Sequence, residues 1–147
     1  MRARSGFTLV EILIVVIILG ILAAIVIPEF SDASTQAKES SLRSNLQAMR
    51  SQIELYKIQH NDNAPTFAGF VAQMTETSDI DGATSGSKVR DATYPLGPYL
   101  QQMPVNPFNN LSTLDNSGTA GDNVGGWEYD ATTSAINADD DATHAGW

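Results

Sequence analysis

A run of apolar residues from Phe7 to Ile27 constrains this chain more than any other feature. Only Thr8, Glu11 and Gly20 interrupt it. As a helix, its twenty-one residues rise about 1.5 Å each, roughly 30 Å in all, which is the thickness of a bilayer's hydrocarbon core. The single acid, Glu11, lies near the start of the run. A charge at mid-bilayer costs roughly 2.5–3.5 kcal/mol and less toward the interface, so an acid kept there points to a functional partner. Glu11 is also close enough to the helix start to reach the interface by snorkelling.

Arg2 and Arg4 precede the run, and no other base occurs before Lys38. The positive-inside rule places such a start in the cytoplasm. A cleaved secretory signal would share the basic start, but its apolar region is normally shorter and its cleavage site follows that region. Here Ile25-Val26-Ile27 continue past the small pair Ala23-Ala24. A plain membrane anchor fits the length and gives Glu11 no role.

A third reading uses every residue. Gly6-Phe7-Thr8-Leu9-Val10-Glu11, behind a short basic leader and ahead of a long apolar run, resembles the processing motif of type IV prepilins and of the pseudopilins of type II secretion. The resemblance covers residues 1–58 well and continues more loosely beyond them. It implies cleavage by a prepilin peptidase between Gly6 and Phe7, N-methylation of Phe7, and residues 1–6 as a leader peptide. Residues 7–30 become a transmembrane and assembly helix, and 31–147 a periplasmic pilin-like domain. Cleavage creates an α-amine at Phe7. Glu11 of one subunit can then pair with that amine on its neighbour, where low dielectric strengthens the attraction and each charge offsets the other's desolvation.

Pro28 ends the apolar run. Inside a helix it removes one hydrogen bond and kinks or loosens the backbone, and the resemblance gives it a part in assembly. Gly20 adds a weaker point. Beyond Ser31 the pattern turns amphipathic: Leu42, Leu46, Met49, Ile53 and Tyr56 recur by four and three on one helix face, which predicts core. Glu39 with Arg43, and Arg50 with Glu54, are four apart and are expected to pair on the exposed side. Helix from Phe7 to Ile58 would span roughly 78 Å, far longer than a globular domain needs.

Asn61-Asp62-Asn63-Ala64-Pro65 ends that helix. Thr66 is expected to cap a short second helix with Phe67, Phe70, Val71 and Met74 on one face. Residues 75–93 read as an exposed loop. Pro95, Pro98, Pro104 and Pro107 make the next stretch ordered but irregular. Pro98-Tyr99-Leu100 and Pro104-Val105-Asn106-Pro107-Phe108 are similar to a segment of the major, G-type pseudopilin. Trp127 and Tyr129 share one strand face, and residues 135–138 return as a second strand. The expected fold is α+β: a type IV pilin-like long N-terminal helix packed on a small C-terminal sheet.

The formal net charge is -9, and no Lys or Arg follows Arg90. An acidic second half excludes a nucleic-acid face, which needs clustered bases. The absence of cysteine excludes disulfides and thiolate chemistry. His60 and His144 are the only histidines and are expected to be solvated. No matched nucleophile and base, and no phosphate loop, speaks for an enzyme. Asp139-Asp140-Asp141 reads as a solvated run. No cofactor and no metal site is expected from the residues; the resemblance offers, as the alternative, calcium in the loop 111–124, near Asp115 and Asp122 and beside Asn116 and Asn123. The spacing there is not that of an EF-hand.

The function expected from the resemblance is a structural subunit of a helical type II secretion pseudopilus. The short domain, the proline-rich segment and the lack of a C-terminal cysteine pair favour it over a type IV pilus subunit for adhesion, motility or DNA uptake. The implied partners are further copies of the chain, minor pseudopilins, the prepilin peptidase and an inner-membrane assembly platform. The implied location is the bacterial inner membrane, single-pass, with the C-terminal domain periplasmic.

Overall fold

A computed structural model describes residues 6–147. The leader bases Arg2 and Arg4 lie outside the described residues. The chain divides into two compact units, one ending at Ala37 and the other running Lys38–Trp147. Helix α1 spans Leu9–Gln59 and passes through Pro28 without a break in helical assignment.

In the first unit, every described residue from Gly6 to Ala37 is exposed. Among the described residues, the apolar side chains between Leu9 and Phe30 are therefore uncovered. This part of α1 is long and apolar enough to cross a membrane.

In the second unit, α1 contributes Leu42, Leu46, Met49, Ile53 and Tyr56, all buried, as their periodicity predicts. The helix stops where Asn61 and Asp62 turn left-handed, with φ of 56° and 66°, and the Asp62 N–H closes back onto the Lys57 carbonyl at 2.9 Å. Helix α2, Phe70–Thr75, buries Phe70 and Met74, while Val71 is half exposed rather than sharing their face. Thr66 does not cap α2 directly. Its hydroxyl accepts the Gly69 N–H at 3.1 Å and closes the turn before the helix.

The sheet has three strands in the order β1 (Leu114–Asp115), β2 (Trp127–Asp130), β3 (Ala135–Ala138). β1 and β2 are parallel, with Asp115 beside Glu128. β2 and β3 are antiparallel, with Tyr129 opposite Ile136 and Trp127 opposite Ala138. These four face the α1 stripe and complete one apolar core with Phe70 and Met74. Burying such side chains stabilises the unit by about 1.5–3 kcal/mol each for the larger ones. Trp127 and Tyr129 keep their polar ends satisfied: Nε1 donates to the Pro104 carbonyl at 2.9 Å, and the hydroxyl to the Pro65 carbonyl at 2.8 Å. Burial pushes the Tyr129 hydroxyl up to about 12.

Several expectations are corrected by packing. His60 is buried, stacked on Tyr56 at 3.7 Å; its Nδ1–H donates to the Tyr56 carbonyl at 2.8 Å and its Nε2 accepts from the Ser78 hydroxyl at 3.0 Å. It thereby fastens the segment after α2 to the end of α1. Thr77 and Ser78 are accordingly buried, so the stretch 75–93 is not wholly an exposed loop. His144 is buried between Phe108 and Trp147 and bonds to Asp140. Arg50 does not pair with Glu54. It donates to the Ile136 carbonyl at 2.9 Å, to Asn137 Oδ1 at 3.2 Å and to the Trp147 carbonyl at 2.6 Å, tying α1 to β3 and the following residues. Arg43 lies over the Trp147 ring at 3.9 Å, and Glu54 pairs instead with Lys57 at 3.2 Å. The carbonyls at the sheet end outcompete a solvated carboxylate because they are partly buried and have no other donor as close.

Candidate functional site: the helix start and an acidic loop

Gly6 and Phe7 precede α1, and both are exposed. Thr8 and Glu11 form a reciprocal cap at its first turn. The Thr8 N–H and hydroxyl donate to Glu11 Oε2 at 2.8 and 2.9 Å, and Thr8 Oγ1 accepts the Glu11 N–H at 3.3 Å. This is a capping box, two orphan donors of the helix start satisfied by one Thr-x-x-Glu pair. The sequence carried that signature in plain form, and reading Glu11 only as half of an intersubunit ion pair missed it. The cap holds the carboxylate back against Thr8 at the helix start. Pro28 sits mid-helix and donates no hydrogen bond of its own.

The second cluster lies at the sheet. Carboxylate oxygens of Asp115, Asp122 and Asp139 come within 4.8 Å of one another. Asp115 and Asp122 are the two acids expected there. Asp139 is not: it belongs to the run read as solvated, yet it is fully buried. Its Oδ1 accepts the N–H groups of Gly121 and Asp122 at 2.8 and 3.2 Å, and its Oδ2 accepts that of Gly125 at 2.7 Å. Asp139 thus builds the loop rather than offering free lone pairs. Gly121 must be glycine, because φ is +89° and a Cβ would meet the backbone of Asp141 at 2.6 Å. Of the neighbouring asparagines, Asn123 Oδ1 already accepts from Asn109 at 2.9 Å. Asp140 bonds to Asn106 at 2.8 Å as well as to His144, so only Asp141 of the three is exposed.

Ser117 links the two outer acids. Its N–H donates to Asp115 at 3.0 Å and its hydroxyl to Asp122 at 2.9 Å. Hydrogen bonds from Ser117 hold the Asp115 carboxyl below its usual range. Glu128, from β2, stands beside Asp115. Its Oε1 accepts the Gly118 N–H at 2.8 Å, whereas its Oε2 is buried with no hydrogen-bond partner. Burial pushes its carboxyl up, and the neighbouring Asp115 adds to this. Among the described residues no basic side chain forms an ion pair with any of these four acids. A concentration of carboxylates with an orphaned buried oxygen and no countercharge fits a hard divalent cation.

Comparison with known proteins bears on the first of these features and on the family. Residues 1–27 match the prokaryotic N-terminal methylation motif. Type II secretion system core protein G of Pseudomonas aeruginosa is 32% identical over 120 residues, covering 82% of this chain and 79% of that protein. The chain belongs to the type II secretion core protein G family. The core protein G of Klebsiella pneumoniae is 29% identical over 121 residues, 82% of this chain and 81% of that one. That of Escherichia coli K12 is 27% identical over 118 residues, 80% and 76%. No solved structure matches. As a member of the core protein G family, the chain combines the long apolar N-terminal helix with a small C-terminal sheet, the α+β arrangement expected of a pilin-like subunit. Its relatives are named as secretion-system core components, which agrees with the absence of a catalytic constellation in the sequence.

Proposed function

We propose that this chain is the structural subunit of a type II secretion pseudopilus, built by stacking α1 helices of successive copies. The observation that carries the reading is the first unit itself. The nineteen helical residues 9–27 are uncovered and apolar but for Glu11 and Gly20, and Glu11 is held by its own cap in the first turn. Such a helix is stable either in lipid or against copies of itself. The chain waits as a single-pass protein of the inner membrane, its sheet domain in the periplasm. A prepilin peptidase cuts between Gly6 and Phe7, and the new Phe7 amine is methylated. An assembly platform and minor pseudopilins then admit it to the filament.

Glu11 sets the register. Its carboxylate pairs with the Phe7 amine of the neighbouring subunit, and neither charge has another partner of opposite sign in the apolar core. Pro28, which withholds one helix hydrogen bond, is where α1 loosens as it packs. Asp115 and Asp122 hold a calcium ion that the family resemblance implies, and its charge offsets the acidic loop. Two measurements test the reading together. Mass spectrometry of assembled filaments is expected to give N-methyl-Phe7 as the first residue, and an intact Met1 start refutes the processing step. Glu11→Ala is expected to be cleaved normally while filament yield falls at least tenfold; a native yield removes the ion pair.

A further inference from the structure

Ile58 is 78% exposed, more than any other large apolar side chain among the described residues of the second unit. It stands two residues past buried Tyr56 on α1, so it points away from the core. Leu55, one turn earlier, is exposed as well. The membrane-length run does not account for this pair, because that run ends at Ile27. Beyond them Asp62, whose N–H closes the helix onto the Lys57 carbonyl at 2.9 Å, keeps an exposed carboxylate. Glu54 pairs with Lys57, whereas Asp62 forms no ion pair among the described residues. The end of α1 is therefore an apolar tip with an unpaired acid.

A surface of matching character lies elsewhere on the same unit. Val71 of α2, Met103, Val105 and Thr113 line a shallow groove of about 540 Å³, with Lys88 among its walls. Val71 and Val105 are each about half exposed, and neither Ile58 nor Leu55 lines the groove. Lys88 donates to the carbonyl of Gln101, which also lines it, and Arg90 donates to the Gly97 carbonyl. Among the described residues neither base pairs with an acid. In a chain of net charge -9, two adjacent bases without an acid mark a place where an acid is wanted.

We propose that the α1 tip, Leu55, Ile58 and Asp62, docks into the groove of Val71, Met103 and Val105 on a second copy of this chain, with Asp62 facing Lys88. This deepens the pseudopilus reading and rests on it. The tip and the groove are unlike surfaces on one body, so the contact is heterologous: each copy offers its tip to one neighbour and its groove to the next. Such a contact does not close on two copies. It propagates, as a filament of stacked copies requires. The apolar part takes Ile58 and Leu55 out of water. The ion pair, at a solvated rim, sets orientation more than strength.

The chain has no cysteine, so an introduced pair reports one contact. The experiment uses filaments of the processed full chain carrying Ile58→Cys and Val105→Cys, oxidised with copper phenanthroline and run on a non-reducing gel. The expected result is a ladder of covalent multimers. Neither single variant should give it, nor should Ile58→Cys with Val124→Cys, since Val124 is exposed and lies off the groove. Filaments of normal yield without a ladder overturn the contact and leave the pseudopilus reading standing. Dimers from Ile58→Cys alone show a symmetric contact and overturn it too. An adduct with a different protein in place of the ladder overturns the second copy as occupant. Lys88→Glu is expected to lower filament yield about fivefold, and adding Asp62→Lys to restore it to within about twofold of native. If the paired-cysteine chain does not assemble, this swap decides: native yield from Lys88→Glu, or no recovery in the double variant, overturns the proposal. A native chain that forms no filament overturns the pseudopilus reading and this inference with it.

Discussion

Asp139→Asn tests whether a buried acid, rather than the loop's own sequence, shapes the acidic turn 116–125. The wild-type side chain is fully buried and accepts three backbone N–H groups, from Gly121, Asp122 and Gly125. Asparagine retains one acceptor oxygen. If that oxygen keeps Gly121 and Asp122, the amide nitrogen faces the Gly125 N–H across what was a 2.7 Å hydrogen bond, donor against donor. Losing a hydrogen bond to a charged group costs about 1.5–3 kcal/mol, and the two remaining bonds fall from charged to neutral strength, about 0.5–1.5 kcal/mol each. Against this, the substitution removes a buried charge close to other carboxylates, which recovers part of the loss. The hydrogen bonds win in this balance, because three are affected and two of the neighbouring acids, Asp115 and Asp122, are at least partly exposed. The net loss is about 2–3 kcal/mol. With a urea slope of roughly 1.5 kcal/mol per molar for a domain of this size, the unfolding midpoint falls by about 1.3–2 M. The assay is urea unfolding in EDTA, so that no bound ion contributes, followed by the fluorescence of buried Trp127. A midpoint shift under about 0.5 M, or a shift upward, refutes the claim that Asp139 organises the loop.

Arg50→Ala removes the fork that binds the Ile136 and Trp147 carbonyls, and it is expected to cost about 2–3 kcal/mol in the same urea assay. Arg50→Lys should recover less than half of that, because an ammonium cannot reproduce the fork; full recovery refutes a role for its geometry. Acid should weaken the sheet domain through Asp115, Asp130 and Asp141, whose carboxyls are held below the ordinary value of 3.8 by hydrogen bonds from Ser117, Thr133 and His144 respectively. A folded value below the unfolded one gives stability that is present above pH 3.8 and is lost as the pH falls through the lowered values. Asp141→Asn should therefore lower the melting temperature at pH 6 and make little difference at pH 2.5; an equal deficit at both refutes the linkage.

Much of this architecture is local and was legible in the residues. Periodicity identified Leu42, Leu46, Met49, Ile53 and Tyr56 as core because a helix repeats every 3.6 residues whatever it packs against. Alternation placed Trp127 and Tyr129 on one strand face for the same kind of reason. The uncovered apolar run and its lone acid needed only composition and length. Thr8 and Glu11 also carried a local signal, three positions apart, that was there to be read.

What the sequence could not determine are the contacts between residues distant along the chain. His60 and His144 look like surface residues until Ser78, Phe108 and Trp147 fold over them. Arg50 has an acid four residues away, yet bonds to carbonyls near the end of the chain, because only the closed sheet brings those unpaired acceptors to it. Asp139 sits in a triplet of aspartates that composition reads as solvated, and the turn of β3 buries it under three N–H groups. Glu128 becomes distinctive only when parallel pairing sets it against Asp115. The sequence by itself determined a membrane-length apolar helix with an acid at its start and an amphipathic half to carry a domain, since these follow from spacing along one chain segment. The tertiary structure decided which charges are buried and what they hold, because desolvation and hydrogen bonding depend on neighbours that only the closed fold supplies.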